Sequence, residues 1–336
     1  MYLLMKLARL ACVLCVVFSM LAAQDQNTCL QRTVTVNVVG SDGVPLRNLT
    51  RDDLKVRYGN HAPSILDLTY REASRRVVIL LDVSGSMSGE QFGGGHDKWQ
   101  IARTAAGELA TSLPQGSQVA LIAFAEKAVT EVPLSADPKL IYEWLNRETS
   151  RNPDHLKGET ALYDAILTGR KLLEPAQDGD AIYVITDGGE NASRARLSGV
   201  EKALAAAGVR LFAFLLAAGE VISIDEQAGI RDLDELTRNT GGWIVSVDAT
   251  HMSSNYSPLS WRYDYEKAKG QIAFYAQLFS REISGFYQLK LQIPEDPRKP
   301  WRLEVELTDT HGQRRKDVTL AYPRKIYPCD GTGTKR

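Results

Sequence analysis

The sequence predicts an α/β protein in which a doubly wound, mostly parallel sheet is inserted between N-terminal and C-terminal β segments that form a small β-sandwich. Three observations support this fold class. The middle of the chain alternates apolar, strand-like runs with helical patterns. Both ends contain short segments in which apolar and polar residues alternate. Oxygen-bearing side chains follow the central strands at their carboxyl ends, where open α/β sheets bind ligands.

The first β segment spans residues 30–72 and has the two-residue period of half-buried strands. Two of its strands alternate apolar with polar positions, and a third run covers residues 65–70. The alternating apolar residues are Val34, Val36, Val38, Leu54, Val56 and Tyr58. Turn residues separate the runs, and Thr50–Asp53 has the pattern of a single capped helical turn. We expect a small antiparallel unit that forms the N-terminal half of a β domain.

The central region, residues 76–283, alternates strands and helices as a doubly wound sheet does. Apolar runs predict strands at 77–82, 118–124, 129–132, 180–187, 209–216 and 243–247. Helical spacing predicts helices over 99–113, 162–173, 200–207, 230–240 and 268–283. A further helix is expected around Leu140, Tyr142 and Trp144.

The C-terminal β segment, residues 284–327, again alternates apolar and polar positions, and residues 330–336 are expected to form a flexible tail. Short strands at opposite ends of a chain each have unpaired edges and an apolar face to bury. The economical solution is one composite sandwich that contains both segments.

The N-terminal residues 1–23 have the pattern of a secretory signal. Lys6 and Arg9 accompany an apolar run that ends in small residues at Ala23. A cleaved signal predicts a secreted, periplasmic or otherwise extracellular protein. An uncleaved N-terminal anchor is the alternative. No later segment is long and apolar enough to be predicted as a membrane span.

Two cysteines remain outside that leader, Cys29 and Cys329. An even pair in an exported chain, with one cysteine near each mature terminus, predicts a disulfide that ties the two ends together. The alternative is two unpaired thiols, because sequence does not give their separation.

Charge and histidine content exclude several classes of function. The formal net charge is −1, and loss of Lys6 and Arg9 with the leader lowers it to −3. Because the basic residues are scattered, nucleic acid is not an expected partner. The histidines lack the spacing of a zinc hydrolase, and no Cys/His cluster is present.

The segment 77–87, VVILLDVSGSM, carries the clearest functional pattern. A buried strand ends in Asp82, Ser84 and Ser86, three oxygen-bearing side chains at alternate positions. Such hard oxygen ligands suit Mg²⁺ or Mn²⁺ better than zinc. A second strand ends in the same way at Asp187. The structural alternative is that the serines only cap a helix and Asp82 only forms an Asx-turn.

These residues, with Thr160, resemble the metal-ion-dependent adhesion site (MIDAS) of von Willebrand factor type A (VWFA) domains, whose order the region 76–283 matches. The resemblance implies that Ser84 and Ser86 hold the metal directly, that Thr160 joins them in an open state, and that Asp82 and Asp187 act mostly through water. Glu159, before the threonine, is an unusual residue there: it is either a supporting second carboxylate or a competitor of an incoming acid. Asn191 is expected to support the loop after Asp187.

The segment VTVNVVGSDGVPLRNLTRDDLKVRYGN, shortly before the motif, resembles a secreted VWFA-related family common in acidobacteria. These resemblances imply an exported binding protein that captures an acidic residue of a protein or extracellular matrix partner through Mg²⁺, or through Mn²⁺ or Ca²⁺. They do not imply an enzyme. A metal-dependent enzyme, or an accessory subunit of an exported enzyme complex, is the alternative.

Overall fold

The structure is a computed structural model that describes residues 29–41, 43–88, 97–149, 156–217, 224–248 and 258–329. The predicted signal segment and the tail from residue 330 lie outside these ranges. The strands are β1 (Gln31–Gly40), β2 (Leu54–Tyr58), β3 (Ser64–Glu72), β4 (Arg76–Asp82), β5 (Gln118–Phe124), β6 (Ala128–Ser135), β7 (Ala181–Thr186), β8 (Arg210–Ala217), β9 (Ile244–Asp248), β10 (Gly285–Gln292), β11 (Trp301–Leu307), β12 (Val318–Ala321) and β13 (Lys325–Ile326). The helices are α1 (Asp97–Ser112), α2 (Lys139–Thr149), α3 (Leu162–Leu172), α4 (Leu197–Ala207), α5 (Ile224–Thr240) and α6 (Pro258–Ser284).

The central sheet has the strand order β6-β5-β4-β7-β8-β9, and β6 is its one antiparallel strand. Strand β4 lies inside this sheet and is apolar on both faces. Val77, Ile79 and Leu81 pack with α1, α2 and α6 on one side. Val78 and Leu80 pack with α3, α4 and α5 on the other side. Because helices cover both faces, the strands read as continuous apolar runs. The predicted fold class is confirmed.

Two antiparallel sheets form the second body, with orders β12-β1-β10-β3 and β13-β11-β2, and one apolar core lies between them. The composite sandwich therefore exists, but the expectation that the N-terminal strands form an antiparallel unit of their own was wrong. Strand β10 lies between β1 and β3, while β2 pairs with β11 in the opposite sheet. Strands β1 and β3 therefore both pair with β10, a strand from the C-terminal segment, instead of with each other.

Helix α2 illustrates how an element can be predicted while its buried face is not. Ile141, Trp144 and Leu145 are buried, whereas Leu140 and Tyr142 remain exposed. Residues three and four positions apart share one side of a helix, so Ile141, Trp144 and Leu145 form a single face.

The short strand β13 and the early start of α5 at Ile224 were not predicted from the sequence.

The two bodies are joined through a buried arginine, and a disulfide links the two ends of the sandwich. Arg210, the first residue of β8, donates hydrogen bonds to Asn37 Oδ1 (2.9 Å) and to the carbonyls of Glu282 (2.8 Å) and Ile283 (2.6 Å). These contacts link the central sheet to the end of α6 and to β1. Cys29 and Cys329 form a disulfide with their Cα atoms 5.6 Å apart, as predicted. Among the described residues, no helix combines the length and apolar character needed to cross a membrane.

Candidate functional site

The candidate site lies at the carboxyl ends of β4 and β7. These strands are parallel neighbours, with Leu81 opposite Ile185. Asp82 is the last residue of β4, and Asp187 directly follows β7. Because parallel neighbours end at the same edge of a sheet, the two carboxylates are brought to one place, and both residues are buried.

Asp82 is held on both of its carboxylate oxygens. Its Oδ1 accepts a hydrogen bond from the Ser84 backbone N–H at 2.9 Å, which is an Asx-turn. Its Oδ2 accepts from the Thr186 hydroxyl at 2.5 Å. The Thr186 hydroxyl oxygen accepts in turn from the Gly188 N–H at 3.1 Å. The Asx-turn of the structural alternative is therefore present, and it also fixes the start of the loop that carries the two serines.

The serine hydroxyls face each other across this loop. Ser84 Oγ and Ser86 Oγ are 3.1 Å apart. Adjacent corners of an octahedron with metal–oxygen distances of about 2.1 Å are about 3.0 Å apart, so this spacing suits two ligands of one Mg²⁺ ion. The Gly85 N–H donates to the Gly158 carbonyl at 3.1 Å, which connects this loop to the one that carries Thr160.

Thr160 is positioned by Asn191, a contact that the sequence did not predict. The Thr160 N–H donates to Asn191 Oδ1 at 2.8 Å, and the Asn191 N–H donates to the Thr160 carbonyl at 3.0 Å. Gly189 shows how close the threonine is to Asp187: a Cβ at Gly189 would lie 3.3 Å from Thr160 Oγ1 and 3.8 Å from Asp187 Oδ1. Both oxygens thus border one small space, and the missing side chain of Gly189 keeps it open.

The electrostatics of the site come from two carboxylates and one ammonium group. Burial, and then the negative charge of Asp187, raise the pKa of Asp82 to about 7. Lys98 Nζ donates to Asp187 Oδ2 at 2.7 Å, with only 9% of the lysine side chain exposed. The other oxygen, Asp187 Oδ1, is buried and has no hydrogen-bond partner. Burying an unpaired carboxylate oxygen is costly, which indicates a site for a cation or another donor.

The donor set fits a hard divalent cation. No group of three or more His, Cys, Asp or Glu side chains suited to a metal occurs in the part of the chain that the structure describes. The cluster instead combines two carboxylates with three hydroxyls, a set that suits Mg²⁺, Mn²⁺ or Ca²⁺. The structure thus brings the five residues Asp82, Ser84, Ser86, Thr160 and Asp187 to one edge of the sheet. The Glu159 side chain is exposed to solvent, unlike the buried carboxylates of Asp82 and Asp187.

Two residues of this cluster, Thr186 and Lys98, were not predicted from the sequence. Thr186 is the last residue of the apolar strand β7 and directly precedes Asp187. This position was the only feature of the sequence that pointed to it. Lys98 lies 89 residues from Asp187, near the start of α1, where a lysine usually points to solvent. Its burial follows from tertiary packing alone.

The fold and the strand-end oxygen cluster define a class of domain: a doubly wound sheet with a candidate cation site at its carboxyl edge. Residues 77–190 match the family model for the von Willebrand factor type A domain. The chain therefore contains a VWFA domain, as the motif predicted.

Several solved structures resemble the chain at low identity. BatB from Bacteroides thetaiotaomicron is 20% identical, with a TM-score of 0.43, over 60% of this chain and 100% of BatB. A von Willebrand factor type A protein from Catenulispora acidiphila is 12% identical, with a TM-score of 0.46, over 82% of this chain and 72% of that one. Proximal thread matrix protein 1 from the mussel byssus, with a zinc-occupied MIDAS motif, is 14% identical over 62% of this chain and 49% of its own, with a TM-score of 0.44. At these values the likenesses carry no functional argument. No curated protein sequence matches the chain.

Proposed function

We propose that this protein is an exported, divalent-metal-dependent binding protein that captures an acidic residue of a protein or matrix partner. The metal is Mg²⁺, or Mn²⁺ or Ca²⁺ in its place. The protein is not an enzyme in this proposal. VWFA domains generally mediate protein interactions, and the proposal assigns that role to the carboxyl edge of the central sheet.

The observation that carries the proposal is the convergence of five oxygen-bearing side chains from three loops. The Ser84 and Ser86 hydroxyls lie 3.1 Å apart, and the buried Asp187 Oδ1 has no partner. A bound divalent ion would supply a Lewis acid with a coordination position free for a partner's carboxylate. Ser84, Ser86 and Thr160 would hold that ion with neutral oxygens, while Asp82 and Asp187 would supply negative charge.

The chain's own hydrogen bonds prepare the site. The Thr186 hydroxyl and the Ser84 N–H fix the carboxylate plane of Asp82. Asn191 fixes the backbone of Thr160. Ligands that are held in place before binding lose less conformational freedom when an ion binds, which favours affinity.

Export is supported by the disulfide between Cys29 and Cys329. Disulfides form and persist in oxidising compartments and are rare in reducing ones. The signal pattern of residues 1–23 points in the same direction. The proposal therefore places the protein outside the cytoplasmic membrane.

The test is a calorimetric titration of the purified chain with Mg²⁺ alone. We expect saturable binding to the wild type and a loss of at least roughly tenfold in affinity for Thr160→Ala and for Asp82→Ala, since each removes an oxygen of the cluster. Thr168→Ala is the matched control. Its hydroxyl donates to the Asp164 carbonyl on α3, outside the site, at 2.8 Å. The control should bind Mg²⁺ as the wild type does.

A second experiment separates binding from catalysis. Association with exported proteins or matrix components is measured with Mg²⁺ and with chelator, for the wild type and for Thr160→Ala. Association that is lost both on chelation and in the variant supports the proposal. Unchanged Mg²⁺ affinity in both site variants, or metal-dependent turnover of a substrate, contradicts it.

A further inference from the structure

The buried lysine of the site has no role in the function proposed above. Lys98 Nζ lies 2.7 Å from Asp187 Oδ2 and 3.4 Å from the Ser86 carbonyl oxygen. Of the lysine side chain 9% is exposed, and of the Asp187 side chain 1%. A lysine is almost never buried to this degree unless it is paired. The ammonium group is therefore an integral charge of the oxygen cluster.

The geometry points to Lys98 as a built-in competitor that weakens the affinity of the site for divalent cations and stabilises the site when no cation is bound. This inference rests on the proposed metal site, which it deepens by assigning a residue that sets the affinity.

The two oxygens of Asp187 have different partners. Lys98 takes Oδ2, while Oδ1 is unpaired and faces the same small space as Thr160 Oγ1. A cation in that space would contact a different oxygen of the same carboxylate from the one that the ammonium group contacts. The positive charges of the cation and of Lys98 would repel each other. Because the Lys98 and Asp187 side chains are buried, water and salt screen this repulsion only weakly. Binding of a divalent ion must overcome this repulsion or move the lysine.

The same charge has the opposite effect on the protein without a divalent ion. Asp82 and Asp187 are both buried at the ends of adjacent parallel strands, so their negative charges repel each other. Lys98 offsets part of this repulsion. Its contact with the Ser86 carbonyl also ties the serine loop to α1. Lys98 would then raise the concentration of divalent ion that is needed to fill the site.

The test replaces the ammonium group and keeps the length of the side chain. For Lys98→Met we expect Mg²⁺ affinity, measured by calorimetry, to rise by roughly tenfold or more, because one opposing charge has been removed. Without divalent ions, and with chelator present, we expect the melting temperature of the variant to fall below that of the wild type. This second measurement uses no metal and does not depend on the first.

Lys325→Met is the matched control. Lys325 also pairs with carboxylates, those of Glu201 and Glu235, but these lie on α4 and α5 rather than in the oxygen cluster. It should lose some stability and leave Mg²⁺ affinity unchanged.

Unchanged or weaker Mg²⁺ binding in Lys98→Met, with the wild type binding normally, overturns the competitor role and leaves the metal site intact. An unchanged melting temperature without metal overturns the stabilising role. Absence of Mg²⁺ binding by both the wild type and Lys98→Met contradicts the proposed function itself.

Discussion

We expect the stability of the protein to depend on pH through the buried carboxyl group of Glu282. Glu282 lies near the end of α6, beside the arginine that joins the two bodies. Burial raises its pKa to about 7 from the ordinary 4.5, although the positive charge of Arg210 acts in the other direction. Burial lowers the pKa of Arg210 to about 9, so the arginine stays charged between pH 5 and pH 8. Tyr70 also faces this carboxyl group and stays neutral, since burial raises its pKa.

A pKa that is higher in the folded chain than in the unfolded chain means that the folded chain holds the proton more tightly. The contribution of Glu282 to stability is therefore fully present below pH 4.5 and is lost as the pH rises through about 7. The difference of about 2.5 pKa units corresponds to roughly 3 kcal/mol of unfolding free energy above pH 8. Glu282→Gln mimics the protonated carboxyl group and removes this loss.

The assay is urea unfolding of the wild type and of Glu282→Gln at pH 5 and at pH 8, followed by tryptophan fluorescence. At pH 5, just above the ordinary pKa of 4.5, the loss is roughly 0.8 kcal/mol, so the two midpoints should differ by only about 0.3 M. At pH 8 the variant should unfold at a higher urea concentration, by about 1 M for a slope near 3 kcal/mol per M. Glu143→Gln, at an exposed position on α2, is the control and should show no such difference. A variant that is less stable than the wild type at pH 8 would refute the reasoning.

Two further predictions concern the backbone and the covalent link. Gly188 has φ +98°, and an added Cβ would lie 2.6 Å from Ile230 Cγ1. Gly188→Ala should therefore lower the unfolding free energy by about 2–4 kcal/mol. Gly199 in α4 has open space around it, so Gly199→Ala should raise the unfolding free energy by about 0.5–1 kcal/mol. Equal effects in urea unfolding would contradict this. Replacing both Cys29 and Cys329 by serine should cost about 2–5 kcal/mol in the same assay, and an unchanged midpoint would show that the bridge adds nothing.

Much of the fold could be read from the sequence because its signals are local. Strand β5 was predicted at the bounds it has in the structure, Gln118–Phe124, since an apolar run between turn residues allows few other readings. The capped turn before β2 was also predicted, and Thr50 and Asp53 make the reciprocal contacts of a capping box there. Asp82 and Asp187 were found for the same reason, because each directly follows a recognisable strand.

Strand pairing in the sandwich could not be read in this way. The alternation in β1 shows which of its side chains are buried, but nothing in that pattern names β10 as its neighbour. Their residues Gln31 and Gln292 are opposite each other although most of the chain lies between them. The face of α2 was likewise decided by what packs against it.

By itself, the sequence determined the α/β class, the composite arrangement of the two β segments, the VWFA domain and the five oxygen-bearing residues at the sheet edge. Only the tertiary structure decided that β10 separates β1 from β3, that Arg210 is buried at the junction, and that Lys98 shares the site with Asp187. The physical reason is that periodicity records the preference of each side chain for burial within its own segment. A buried charge contradicts that preference, and it becomes stable only when partners from distant parts of the chain surround it.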